Sequence, residues 1–208
     1  MKKFSGTEEN TILGISGSPR TGGNTDILIE KALEGARATG GKTRKIILNN
    51  LDLSPCQEIE YEEVNENGYS VVHDDIHLIY QAIQECRALI LASPIFFGSV
   101  SAQTKIMIDR FQNVWISNNI LNKPIFNQKK DGAFLCVAGS RRKDFFENAR
   151  FIVKNFFYSI NIQYKKDLFC PGADRRGDIL FHTECLISAF ELGRQIAISS
   201  DQSSKKIK

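Results

Sequence analysis

"GISGSPRTGGNT", residues 14–25, directly follows the apolar pair Ile12-Leu13, and its reading decides the fold. It has the small, hydroxylated residues of an anion-binding turn but fits neither common phosphate motif. A P-loop needs Lys and then Ser or Thr after its last glycine, and Gly23 is followed by Asn24 and Thr25. Gly14, Gly17, Gly22 and Gly23 do not supply the G-x-G-x-x-G spacing of a dinucleotide fingerprint either. Gly17, Gly22 and Gly23 let backbone N–H groups approach an anion closely, and Ser16, Ser18 and Thr25 add hydroxyls. Asn24 stands at the expected N-cap of a helix that Thr25 opens, and that helix end carries the positive pole of the backbone dipole. Arg20 is the only full charge in the stretch, which suits one phosphomonoester better than a magnesium-bound triphosphate. The alternative is a capped glycine turn that holds no ligand.

Outward from this turn the chain alternates. Short apolar runs at 11–16, 43–49, 87–94 and 131–140, with a more polar one at 163–172, read as strands. Stretches with helical spacing at 25–40, 74–86, 101–115, 144–160 and 179–199 fall between and after them. Strand–helix alternation predicts a parallel sheet covered on both faces, hence an α/β fold. Nothing divides the 208 residues, so one domain over 1–208 is expected, with residues 1–10 and 199–208 loose and polar.

Composition excludes several classes. A net charge of +3 with scattered Lys and Arg argues against a nucleic-acid partner. No apolar run approaches the roughly 18 residues needed to span a membrane, and no signal peptide follows the basic start "MKK". Five scattered cysteines (56, 86, 136, 170 and 185) read as reduced thiols of a cytoplasmic protein.

In a parallel α/β sheet the ligand sits beyond the carboxyl ends of the strands, where strand order reverses. Three such ends matter, at 16–25, 93–99 and 138–143; the second of them reads "SPIFFGSVSAQTKIMIDR", 93–110, where Pro94 and Gly98 bracket Ile95, Phe96 and Phe97. Large apolar residues at a strand's end suit a flat ring that needs stacking and backbone donors. Folding back into the core, or lining a subunit contact, would serve the phenylalanines equally well.

Together "GISGSPRTGGNT", "ASPIFFGSVSAQTKIMIDR" and "CVAGSRRK" resemble the flavodoxin-like NAD(P)H-dependent FMN reductases, particularly their iron–sulfur flavoprotein branch, over residues 11–198. The resemblance implies a three-layer flavodoxin-like fold with five parallel strands in the order 2-1-3-4-5. It implies FMN as cofactor and NADH or NADPH as co-substrate. Ser16, Ser18, Pro19, Arg20, Asn24 and Thr25 would then form the phosphate loop. Pro94, Ile95, Phe96, Phe97 and Gly98 would hold the ring, largely through backbone, and Ala138, Gly139 and Ser140 would border its other edge. Chemistry would reside on the flavin, with no catalytic side chain and a flavin, quinone or other small molecule as acceptor. The resemblance also implies a homodimer or tetramer, and the segment "YEEVNENGYSVV" (61–72) is long enough to reach a neighbour.

The departures matter as much. The iron–sulfur branch carries a compact cysteine run after the second strand, and here "SPCQEIEYEEVNENGYSVVHDD" offers Cys56 alone. Four thiolates are the usual requirement, so no iron–sulfur cluster and no metal are expected. An electron-transfer flavoprotein reduced by a protein partner is the alternative function, but dedicated carriers are usually acidic. Cys170 and Arg176 have the C-x5-R spacing of cysteine phosphatases, without the following Ser or Thr. His73 and His77 lie beside Asp74 and Asp75, which read as helix-capping acids. Lys105, Asp109 and Arg110 read as an exposed, ion-paired helix face. Trp115 fits core, interface or flavin neighbour equally.

Overall fold

The computed structural model describes residues 11–57 and 74–205, the last five by backbone alone. Strand β1 (Thr11–Ser16) leads through the glycine turn into α1 (Asn24–Arg37), and β2 (Lys42–Ile47) follows. Then come α2 (Ile76–Glu85), β3 (Cys86–Phe96), β4 (Ser99–Val100), α3 (Ala102–Asp109) and α4 (Gln112–Asn119). The chain continues through β5 (Lys130–Ala138), α5 (Lys143–Ser159), β6 (Ile162–Pro171) and α6 (Thr183–Lys205). Five strands pair in parallel in the order β2-β1-β3-β5-β6, the predicted order with β5 and β6 as fourth and fifth strands. A sixth, unpredicted strand, the two-residue β4, folds back antiparallel on Ile95–Phe96. Helix α6 runs on to Lys205, past residue 199 where a loose tail was expected. Residues 1–10, His73 and the segment 61–72 lie outside the described residues.

The two faces of the sheet differ in side-chain size. Ile12, Ala88, Ile90, Ala92, Ala133, Leu135 and Val137 face α1 and α6. Leu13, Ile15, Leu89, Leu91, Phe134 and Cys136 point the other way, where Phe111, Phe126, Phe146, Phe156 and Phe157 complete an aromatic-rich core beneath α2–α5. Alternation of period two with both sets apolar is what a doubly covered parallel sheet requires. On the small-residue side α1 and α6 touch backbone to backbone. A Cβ on Gly193 would fall 1.8 Å from the Ala32 carbonyl oxygen, and one on Gly35 1.9 Å from that of Phe190.

The predicted helix 101–115 is broken, and Arg110 departs from the exposed face expected of it. Lys105 and Asp109 do pair on the surface at 2.7 Å, but Arg110 is only 1% exposed. Its guanidinium pairs with buried Asp74 and donates to the Ser54 carbonyl at 3.0 Å. The Tyr80 hydroxyl donates to the carbonyl oxygen of Arg110. That carbonyl would have received Val114 N–H in an unbroken helix, and Val114 bonds the Phe111 oxygen at 3.0 Å instead. His77 is exposed and rests on the Asp74 carbonyl, while the Asp74 carboxylate accepts Ile76 N–H at 3.0 Å at the start of α2.

The cysteines depart from the expectation of five free thiols. Cys170 at the end of β6 and Cys185 in the first turn of α6 form a disulfide, their Cα atoms 6.0 Å apart. Fourteen intervening residues hid the pairing, because only the return of α6 over the sheet end brings the two together. The same bond removes Cys170 as a phosphatase-type nucleophile.

Two stability measurements test this architecture. Burial alone would raise the Asp74 pKa, but the Arg110 guanidinium and the Ser54 and Ile76 N–H groups hold it below the ordinary value. A carboxyl depressed in the folded state contributes stability that is full above its unfolded pKa of about 3.9 and is lost as pH falls through the folded value. Asp74→Asn should lower the urea-unfolding free energy near pH 7 by about 3–5 kcal/mol, because it strands a buried guanidinium. The gap to wild type should narrow below about pH 4; a gap independent of pH would contradict the pairing. Gly193→Val should destabilise by at least about 1–3 kcal/mol through overpacking, and an unchanged thermal midpoint would rule out the helix contact.

Candidate functional site

The carboxyl ends of β1, β3, β5 and β6 surround a cavity of about 480 Å³ at the point where strand order reverses between β1 and β3. Ser18, Arg20, Gly23, Asn24 and Thr25 line it from the first loop; Pro94, Ile95, Phe96 and Phe97 from the second; Val137, Ala138, Gly139 and Ser140 from the third. Phe145, Ala173 and Asp174 complete the wall. Three predicted residues do not line it. Ser16 is fully buried behind the turn, its hydroxyl without a partner among the described residues. Pro19 and Gly98 stand outside the lining, Gly98 against the Phe145 ring, where a Cβ would lie 3.0 Å from Cδ1.

The first loop is drawn against the sheet at Gly17. Its N–H donates to the Ala92 carbonyl at 2.8 Å, and its own carbonyl receives the Ser101 hydroxyl at 2.5 Å. A Cβ on Gly17 would lie 1.8 Å from Thr104 Oγ1. Next along, the Ser18 hydroxyl accepts Arg20 N–H at 3.1 Å and sets the turn. Gly23, not Asn24, is the N-cap of α1, and no side chain caps that helix end. Its first-turn N–H groups are therefore left to an outside acceptor, here facing the cavity.

Asn24 has a different task from the expected cap. Its Nδ2 donates to the Arg175 carbonyl at 2.8 Å, and its Oδ1 accepts Gly177 N–H at 2.9 Å and Ile179 N–H at 3.3 Å. Arg20 donates to the Asp174 carbonyl at 3.3 Å, and Arg176 to the Thr21 carbonyl. These bonds strap residues 173–179 over the first loop, and the Asp178 carboxylate stiffens the strap by accepting the N–H groups of Asp174 and Arg175. Sequence reasoning missed the strap along with Val137 and Phe145. "PGADRRGD" carried a usable signal, since a Gly- and charge-rich loop after the last parallel strand opens on the same sheet edge.

The second loop presents rings and backbone. Phe97 holds φ +50 and its ring is fully exposed, a conformation that costs a non-glycine residue about 1–3 kcal/mol and concentrates at ligand sites. Gly98, at φ +77, gives its carbonyl to Asn148 Nδ2 at 2.8 Å, pinning the loop to α5. Trp115, on α4, is half exposed and does not line the cavity. The whole is a slot with a cationic, N–H-rich end and an apolar, flat-walled end. That combination matches a phosphorylated planar heterocycle such as FMN.

Burial pushes the Cys86 thiol up to about 11 and also raises Cys136 and Cys56, which holds all three as protonated thiols near neutral pH. Among the described residues no three His, Cys, Asp or Glu side chains converge as metal ligands. No described helix is long and apolar enough to cross a membrane.

Residues 10–146 match the family model described as NADPH-dependent FMN reductase. An iron–sulfur flavoprotein of Methanocaldococcus jannaschii is 38% identical over 112 residues, which cover 54% of this chain and 57% of that protein. The chain spans less than two thirds of the length of each iron–sulfur flavoprotein it matches. A Bacillus subtilis protein named as an NAD(P)H-dependent FMN-containing oxidoreductase is 29% identical, covering 87% of this chain and 95% of its own. Among solved structures, an NAD(P)H:quinone oxidoreductase from Methanothermobacter marburgensis superposes with a TM-score of 0.71 at 19% identity, covering 88% of this chain and 94% of its own. That likeness speaks for the flavodoxin-like fold that the strand order already showed. With more than half its length inside the family model and both diagnostic loops on one cavity, this chain belongs to the NADPH-dependent FMN reductase family.

Proposed function

We propose that the protein binds FMN non-covalently in the cavity at the β1/β3 switch point and passes electrons from NADH or NADPH to a flavin, quinone or other small acceptor. The carrying observation is one cavity shared by an uncapped helix end with Arg20 and by the Pro94–Phe97 and Ala138–Ser140 walls. When bound, FMN supplies the hydride and electron chemistry. The chain's part is binding and orientation. Ser18, Arg20, Thr25 and the first N–H groups of α1 hold the phosphate; Ile95, Phe96 and Phe97 border the ring on one side and Ala138, Gly139 and Ser140 on the other. The strap keeps the first loop in place. Ser16 belongs to the same reading as a buried hydroxyl behind the phosphate turn, while Pro19 and Gly98 shape the two loops.

The site works without an iron–sulfur cluster on this reading. All five cysteines are placed: two share a disulfide, two are core thiols, and Cys56 stands alone. The protein self-associates as a homodimer or tetramer. Exposed Phe97, Phe151 and Tyr158 supply apolar surface that a neighbour would cover.

Two measurements test the function. NADH or NADPH added to the purified yellow protein without oxygen should bleach the flavin band; a flavin indifferent to both nucleotides would transfer the protein to the electron-carrier class. Arg20→Ala should weaken FMN by about ten- to hundredfold if it makes a charge-assisted phosphate bond of about 1.5–3 kcal/mol. Riboflavin, which has no phosphate, should bind the variant and wild type alike. Equal loss for both ligands would refute the phosphate assignment.

A further inference from the structure

A second cavity, of about 570 Å³, adjoins the first. Ser140 lines one and Arg141 the other; Ala173 lines one and Pro171 the other. The partition is thus one residue step in the first loop and two, across Gly172, in the second, each step about 3.8 Å of chain. Both cavities open at the carboxyl edge of the sheet, because β5 ends at Ala138 and β6 at Pro171.

The chemistry of this second cavity is specific. The Arg141 guanidinium and His182 imidazole converge over Gly172, where a Cβ would lie 3.1 Å from Arg141 Nη2 and 3.6 Å from His182 Cε1. Neighbouring Arg142 is paired with Asp144, whereas Arg141 makes no ion pair among the described residues. The Phe181 ring beside them is almost fully exposed, and Phe169 forms an apolar wall. Thr183 and Ser188 add hydroxyls, and the Glu184 carboxylate can accept from an amine. A guanidinium and an imidazole N–H suit a phosphate, an exposed ring suits a heterocycle, and a carboxylate suits an exocyclic amino group. The disulfide joins β6 to the first turn of α6 at Cys185, itself on the cavity wall, so the pocket is formed before any ligand arrives.

We propose that this cavity seats the 2′-phosphoadenosine end of NADPH, with Arg141 gripping the 2′-phosphate and Phe181 stacking on the adenine. The nicotinamide then reaches over the Ser140–Arg141 and Pro171–Ala173 partition into the flavin cavity. Arg141 is thereby the residue that favours NADPH over NADH. This inference rests on the nicotinamide-dependent reading above and adds where the far end of the reductant lies.

Calorimetric titration of the purified protein with 2′,5′-ADP, 3′,5′-ADP and 5′-AMP tests it. Saturable binding of 2′,5′-ADP at least tenfold tighter than that of 5′-AMP is expected. Arg141→Ala should bring 2′,5′-ADP down to the 5′-AMP level, an about ten- to hundredfold loss, and leave 5′-AMP unchanged. Equal affinity for 2′,5′-ADP and 5′-AMP, tighter binding of 3′,5′-ADP, or indifference to Arg141→Ala would each overturn the proposal. The two readings fail separately. R141-dependent binding of 2′,5′-ADP to a protein whose flavin ignores NADPH would keep this site and remove the enzymatic function. Flavin reduction by NADPH with 2′,5′-ADP binding unaffected at R141A would do the reverse.

Discussion

The contact on which the site depends is made by Gly17. A hydrogen on its α-carbon, where any other residue would carry a Cβ, lets the first loop lie flush against β3. There its N–H meets Ala92 and its carbonyl meets Ser101. A polar loop with helix-dipole character is thereby brought beside an apolar loop with exposed rings, from segments about eighty residues apart in sequence. Parallel strands leave all their carboxyl ends on one edge, but edge alignment alone would leave a gap between neighbouring loops. Ser101 closes it while also accepting Thr104 N–H as the N-cap of α3. One hydroxyl therefore ties together the first loop, the second loop and the helix behind them.

The asymmetry of the sheet serves the same end. Gly14, Ala88, Ala92 and Ala133 leave a shallow face on which α1 lies close, its N-terminus reaching the rim of the cavity. The opposite face is filled by rings, several in edge-on or stacked pairs such as Tyr80–Phe111 and Phe146–Phe169. Such pairs add about 0.5–1.5 kcal/mol each beyond their area burial. The rigid aromatic layer fixes α3 and α5, and through Asn148 it fixes the carbonyl of Gly98 and so the second loop.

Much of this was legible in the sequence where local pattern decides. The strand 11–16, the glycine turn, the Pro94–Phe97 loop and the strand order follow from periodicity, turn chemistry and a resemblance carried by motifs. What escaped was set by distant partners. Arg110 reads as part of the exposed face that carries the Lys105–Asp109 pair, yet Asp74, thirty-six residues earlier, draws it inward and Tyr80 takes its carbonyl. Asn24 is a preferred cap residue, but the strap offers its amide three partners at once. The strap and the disulfide depend on where α6 returns, which no window around residue 174 reveals.

The backbone contact between α1 and α6 has a further consequence, for how sequence change is transmitted through the molecule. Side chains in a core accommodate substitution by shifting rotamers, a form of slack. Two main chains in contact at Gly35 and Gly193 have no rotamers to shift. Displacement of the C-terminal helix is therefore handed to α1 undamped, and α1 carries at its far end the amide groups that face the cavity. The last helix acts as a lever on the first, so drift at its inner face registers in ligand affinity before it registers as visible misfolding.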